Sequence, residues 1–193
     1  MTLPQKGITV YCGSSAGNNP AYARAAEVVG AEIGRRGLPL IYGGGHMGLM
    51  GAVGRSVREA GGTTVAVIPR FMVERGWNDA SASETVVTES MHERKKLMAE
   101  CARGIIALPG GVGTFEELCE IITWRQLGLF TGNIVVLNVE GYYDAWRRQF
   151  EKAVEEGFFP ASHLDLFHIT SSPVEAVELA SAAESLHTVD PKF

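Results

Sequence analysis

The chain has 193 residues, 46% of them apolar and 20% charged, with a formal net charge of −5. Such a composition is that of an ordinary globular protein, long enough to bury roughly 70% of its unfolded surface without a disulfide or metal staple. The acidic balance speaks against nucleic acid or an anionic membrane as partner, but leaves room for a small phosphate ligand at a locally positive site.

In chain order, short apolar runs alternate with longer helical patterns. A strand is expected at 7–12, then the loop CGSSAGNNP, in which Asn19 and Pro20 read as the N-cap and first residue of a helix over 20–36. The amides and hydroxyls of Gly13, Ser14 and Ser15 lie at the end of that strand, where ligands of parallel sheets bind. A strand at 38–43 leads into YGGGHMGLMG and a helix at 48–61. There Gly43-x-Gly45-x-x-Gly48 formally matches a dinucleotide fingerprint, yet the next strand, 63–69, ends in Pro69 and Arg70 rather than the ribose-binding acid a dehydrogenase needs. Strands at 84–88, 104–109, 133–139 and 166–170 alternate with helices at 90–102, 114–127, 141–156 and 173–185, and 187–193 reads as a frayed tail. The strands are continuous apolar runs rather than alternating ones, so both their faces should be covered. The expectation is an α/β fold, a Rossmann-like doubly wound parallel sheet with helices on both faces, in a single domain over 1–193.

Cys12, Cys101 and Cys119 are odd in number, form no C-x-x-C and sit in apolar segments, which reads as buried thiols in a reducing compartment. There is no signal-type N-terminus and no apolar run of membrane-spanning length, so the expected location is cytoplasmic, with no membrane partner. His92 and Glu93 lack the H-E-x-x-H spacing, and no metal is expected.

The stretch RGIIALPGGVGTFEELCEIITWRQLG, residues 103–128, carries the most chemistry. Gly110, Gly111 and Gly113 free the backbone to turn and expose amides at a helix start, an arrangement that attracts phosphate. Glu116 and Glu117 then pose a problem, because carboxylates repel the anion that such a turn binds. One answer is structural: Thr114 caps the helix and Glu117 completes a capping box. The other is chemical: the phosphate anchors one end of a nucleotide while Glu117 faces the anomeric carbon, whose oxocarbenium character it stabilises as the base departs. Upstream, Arg94 falls on or beside the apolar face formed by Met91, Leu97, Met98 and Cys101, either snorkelling over it or serving a ligand.

The motif PGGVGTFEE (109–117), together with MHERK (91–95), resembles the signature of the LONELY GUY (LOG) family, the cytokinin riboside 5′-monophosphate phosphoribohydrolases, which are often labelled lysine decarboxylases. The resemblance extends through CGSSAG, GGGHMGLMG, VIPRFMVER, ITWRQLG and LNVEGYY. It implies a Rossmann-like homodimer with its site near the subunit interface, using no cofactor, that hydrolyses the N-glycosidic bond of N6-modified AMP and often of AMP. By motif position it implies Arg94 and Glu117 as the catalytic pair, and Lys95, Gly111, Val112, Gly113, Thr114, Glu116 and Thr123 as nucleotide contacts; Ser14 and Gly110 join these from the loop readings above. Two positions depart from the family pattern, Phe130 in place of a histidine and Gly76 in place of a glutamate, and both bear on the base pocket. The alternatives are a nucleotide or cofactor carrier without hydrolase activity, an AMP nucleosidase, and a pyridoxal-dependent decarboxylase, for which only Lys95 and Lys96 lie near the site.

Overall fold

The computed structural model describes residues 6–183, so the expected frayed tail and the last two residues of the helix expected at 173–185 lie outside the described residues. Strands β1 (Gly7–Tyr11), β2 (Leu40–Tyr42), β3 (Thr64–Pro69), β4 (Glu84–Thr88), β5 (Ala102–Ala107), β6 (Ile134–Leu137) and β7 (His168–Thr170) form one sheet in the order β4-β3-β2-β1-β5-β6-β7. Every pairing in it is parallel. The connecting helices are α1 (Pro20–Arg35), α2 (Gly48–Glu59), α3 (Arg70–Glu74), α4 (Met91–Glu100), α5 (Val112–Gln126), α6 (Asp144–Glu155) and α7 (Pro173–Ser181). The fold is therefore the doubly wound, Rossmann-like one. Short α3 had no counterpart among the sequence expectations, and β5 starts two residues earlier than its apolar run suggests.

Period-two alternation along each strand splits the core into two layers. Ile8 and Val10 of β1, Ile106 of β5 and Val135 and Leu137 of β6 pack with α1, α2 and α7. Tyr11, Ile105, Ile134 and Val136 face the other way, onto α4, α5 and the aromatic side of α6. All residues of β1, β3 and β6 are buried, which is what an apolar run without alternation requires. Asn19 caps α1 as its sequence suggests, its side chain accepting from the Ala21 N–H at 2.9 Å. Among the described residues no helix is long and apolar enough to cross a membrane.

Strand order reverses between β1 and β5. The loops leaving these two strands diverge to opposite sides of the sheet, and the crevice between them is where such folds take their ligands.

Candidate active site

A cleft of about 620 Å³ opens at that point, well within the range of small-molecule sites. Its walls come from the loops after β1 (Cys12–Ser14) and β2 (Gly43 and Gly45–Met47), from α4 (Met91 and Arg94) and from the start of α5. The loops are knitted together by backbone hydrogen bonds. Gly13 N–H donates to Pro109 O at 3.0 Å, and Leu49 N–H donates to Gly13 O at 3.1 Å. The Gly13 amide, expected to face a ligand, is thus consumed within the scaffold, whereas Ser14 does line the cleft.

Helix α5 begins two residues earlier than its sequence suggests. Gly111 is the N-cap and no side chain caps the helix, so Thr114 is an interior residue and the Thr114–Glu117 capping box does not form. On α4 a side-chain cap does form: Ser90 accepts from Glu93 N–H at 3.1 Å, and the Glu93 carboxylate accepts from the N–H of Glu89, one residue before the cap, at 2.8 Å. This shift resolves the problem of the two glutamates. They stand in the second turn of α5, and its first turn holds no acidic residue. The positive end of the helix is left with uncapped amides at Val112, Gly113 and Thr114, all on the cleft wall.

Glu117 turns inward. Its side chain is 12% exposed and its Oε1 lies 4.0 Å from Nη2 of Arg94. Burial pushes its carboxyl up to about 7, against the opposing pull of the Arg94 charge and with a further push from Glu116. Arg94 is itself buried and does not snorkel. Its Nη2 donates to Gly43 O at 3.4 Å, Nη1 approaches Met91 Sδ at 3.7 Å, and Nε has no partner. A buried guanidinium with spare donors, aimed at a cleft, is arranged for something the cleft will hold. Gly43 makes this possible, since a Cβ there would lie 2.0 Å from Nη2.

The other predicted positions divide into two groups. Gly111, Val112, Gly113, Thr114 and Glu116 line the cleft with Ser14. Gly110 lies beneath it, where a Cβ would collide with the Thr114 hydroxyl at 2.1 Å. Lys95 is drawn away, paired to Glu116 and to Glu120 at 3.2 Å. Burial would lower its pKa, but the hydrogen bonds it donates to these carboxylates outweigh it and hold the ammonium charged. Lys95 thereby pairs the acid next to Glu117 and leaves Glu117 as the inward-facing carboxylate. Thr123 is exposed and donates to Cys119 O at 2.9 Å, outside the cleft of this chain. Phe130 is buried in the α5 core layer and does not line the cleft. Cys119 is exposed, contrary to expectation, while Cys12 and Cys101 are buried.

Sequence reasoning missed the apolar wall opposite α5, made by Met50, Ile68, Met72 and Trp77. Trp77 is held by a loop that folds back on the β2 turn, with Asp79 N–H donating to Gly44 O at 2.6 Å. The Asp79 carboxylate accepts from Tyr42 OH at 2.8 Å, Arg58 Nη1 at 3.0 Å and Ser81 N–H at 3.0 Å. Burial alone would raise its pKa, but these donors overcome that and hold it below the usual range. An aspartate before a short polar run carries no periodic signal that would announce this role.

Fold and cleft together define a Rossmann-like protein whose cleft takes uncapped amides from the start of α5, a buried acid from its second turn and a guanidinium from α4. Comparison with known proteins narrows the class. A family model described as "Possible lysine decarboxylase" matches residues 50–180. The cytokinin riboside 5′-monophosphate phosphoribohydrolase LOG7 of Arabidopsis thaliana is 45% identical over 97% of this chain and 84% of its own length. LOG1 of the same plant is 43% identical over 93% of this chain and 83% of its own. The chain belongs to this family, the LOG phosphoribohydrolases. Among solved structures, the molybdenum cofactor carrier protein of Chlamydomonas reinhardtii superposes with a TM-score of 0.68 at 20% identity, covering 91% of this chain and 95% of that one. At that identity the likeness is one of fold. Among the described residues no lysine lines the cleft, so the decarboxylase label finds no support there.

Proposed function

We propose that the protein hydrolyses the N-glycosidic bond of a nucleoside 5′-monophosphate to free base and ribose 5-phosphate. Its substrates are cytokinin riboside 5′-monophosphates, the N6-modified forms of AMP, and AMP itself. The observation that carries this reading is the spacing on α5. Its acid-free N-terminus receives the phosphate, and Glu117 follows five residues after Val112, about 7.5 Å along the axis, a reach suited to the anomeric carbon of the same nucleotide.

In this reading the amides of residues 111–114 and the Ser14 hydroxyl take the phosphate. The base lies against Met50, Met72 and Trp77, and Arg94 turns its spare donors to the ribose. The C1′–N9 bond breaks with its electron pair leaving on the purine, and the ionised Glu117 carboxylate stabilises the oxocarbenium carbon. Glu117 also accepts a proton from the water that adds to C1′, and that proton then passes to the departing base. A carboxyl near neutrality suits both halves of this transfer. A two-carboxylate scheme is not needed, since Glu116 is held by Lys95. The protein is taken to be cytoplasmic and a homodimer, the dimer supported by Leu127, Leu129 and Phe158, which stand exposed beyond the ends of α5 and α6.

Incubating the protein with AMP and with N6-isopentenyladenosine 5′-monophosphate and resolving the products by chromatography tests the proposal. Base and ribose 5-phosphate should appear in equal amounts. Nucleotide that is bound but unchanged would instead make the protein a carrier.

A further inference from the structure

We propose that Tyr142 is a positioning residue that sets the polarity of the glycine loop at 110–111, turning the Gly110 carbonyl into the protein so that the Gly111 amide faces the anion. The inference rests on the reading of α5 as a phosphate site. Four consecutive carbonyls are engaged on the protein side. Leu108 O accepts from Tyr143 OH at 2.7 Å, Pro109 O from Gly13 N–H at 3.0 Å, Gly110 O from Tyr142 OH, and Gly111 O from Phe115 N–H at 3.2 Å. In a trans peptide the N–H of the next residue points opposite to the carbonyl. Fixing Pro109 O and Gly110 O therefore aims the Gly110 and Gly111 amides the other way, alongside those of the first turn of α5. A flexible glycine loop has no intrinsic preference for this orientation, and a single flipped peptide would present a carbonyl to the phosphate. The Gly13 amide supplies the preference for the first of these peptides and the Tyr142 hydroxyl for the second.

The segment that delivers the tyrosines is strained. Glu140 has φ 51, the one non-glycine residue with positive φ among the described residues, and Gly141 follows with φ 71. This left-handed pair reverses the chain after β6 so that Tyr142 and Tyr143 point back at the loop. Asn138 locks the reversal, its side-chain oxygen accepting from Tyr143 N–H at 2.7 Å and its amide donating to Asp144 at 2.7 Å. Packing holds the rings. Tyr142 stacks on Phe115 of α5 with ring centroids 6.3 Å apart and meets Tyr22 of α1 edge-on at 5.6 Å. Tyr143 is fully buried. Neither tyrosine lines the cleft, so Tyr142 acts through the loop.

The test is a titration with inorganic phosphate followed through the backbone amide resonances of residues 110–114, in the wild type and in Tyr142→Phe. The ring stacking survives this substitution, and Tyr143→Phe, whose hydroxyl bonds the carbonyl before Pro109, serves as the control. The wild-type amides should shift on phosphate addition. Tyr142→Phe should bind phosphate about three- to tenfold more weakly, the worth of one neutral hydrogen bond, with the Gly111 resonance displaced before any phosphate is added, whereas Tyr143→Phe should keep wild-type phosphate affinity. Wild-type affinity and unmoved resonances in Tyr142→Phe would overturn the proposal, as would wild-type amides that ignore phosphate. Failure of the hydrolase reading looks different: the amides respond to phosphate, but no base is released from AMP.

Discussion

Replacing Glu117 with glutamine separates catalysis from stability with opposite signs. The carboxyl is ordinarily near 4.5, and burial holds it at about 7 even with Arg94 opposing. Folding therefore favours the protonated form. The penalty on the native state is absent below pH 4.5, grows as pH rises, and is complete above about 7. The size of that gap corresponds to about 3 kcal/mol at most. Glutamine has the shape of the protonated acid and no charge to bury. The variant should match wild type near pH 4.5 and exceed it at pH 8 by up to about 3 kcal/mol, which for a chain of this size is a rise in Tm of about 6–12 °C. Base release should fall by at least about 100-fold, the usual worth of a positioned acid–base group. Thermal melts at both pH values, together with the chromatographic assay, read the two effects. A uniform loss of about 1 kcal/mol at both pH values with activity retained is the behaviour of a lost cap, and would refute the reasoning.

Arg94→Met should likewise abolish turnover and push the Glu117 carboxyl further up, because the guanidinium is the charge that opposes its burial. A Glu117 titration that does not move, followed by carboxyl resonances, would show instead that the two groups do not interact. With Glu117 acting as the base, kcat/KM should climb with pH to a plateau above about 7; a fall over the same range would reverse its role. Asp79→Asn should cost about 1–3 kcal/mol at pH 7 by disturbing the bonds from Tyr42, Ser81 and Arg58. The Asp79 carboxyl is held below its ordinary 3.8, so its contribution is present above that value and is lost as pH falls through the depressed one. The variant and wild type should thus converge in acid, and a difference independent of pH would contradict the assignment.

Much of the frame was legible in the chain. Runs such as TTVAVIP and NIVVLNV are apolar at consecutive positions, and a strand buried on both faces needs that, so the parallel sheet followed. The bounds of β4, 84–88, were read directly. The start of α5 was not, because a glycine N-cap has no side-chain signature and the nearby threonine has one. That offset of two residues decided whether Glu117 capped a helix or entered the cleft. Arg94 and Glu117 could be paired through the family resemblance, but their distance and burial depend on Gly43, whose missing side chain makes room for the guanidinium. Trp77, Asp79 and Tyr142 act through contacts with segments about 30 residues away in the chain. No local periodicity reports such contacts, and only the closed loops reveal them.

In the proposed reaction one nucleotide bridges the start of α5 and Glu117. The most direct test compares kcat/KM for AMP with that for adenosine, which keeps the ribose and the base but lacks the anchor. Two charge-assisted hydrogen bonds to phosphate are worth about 100-fold or more, and the nucleotide should be favoured by at least that factor. Equal values for the two substrates would contradict the claim, since the helix end would then contribute nothing to the reaction.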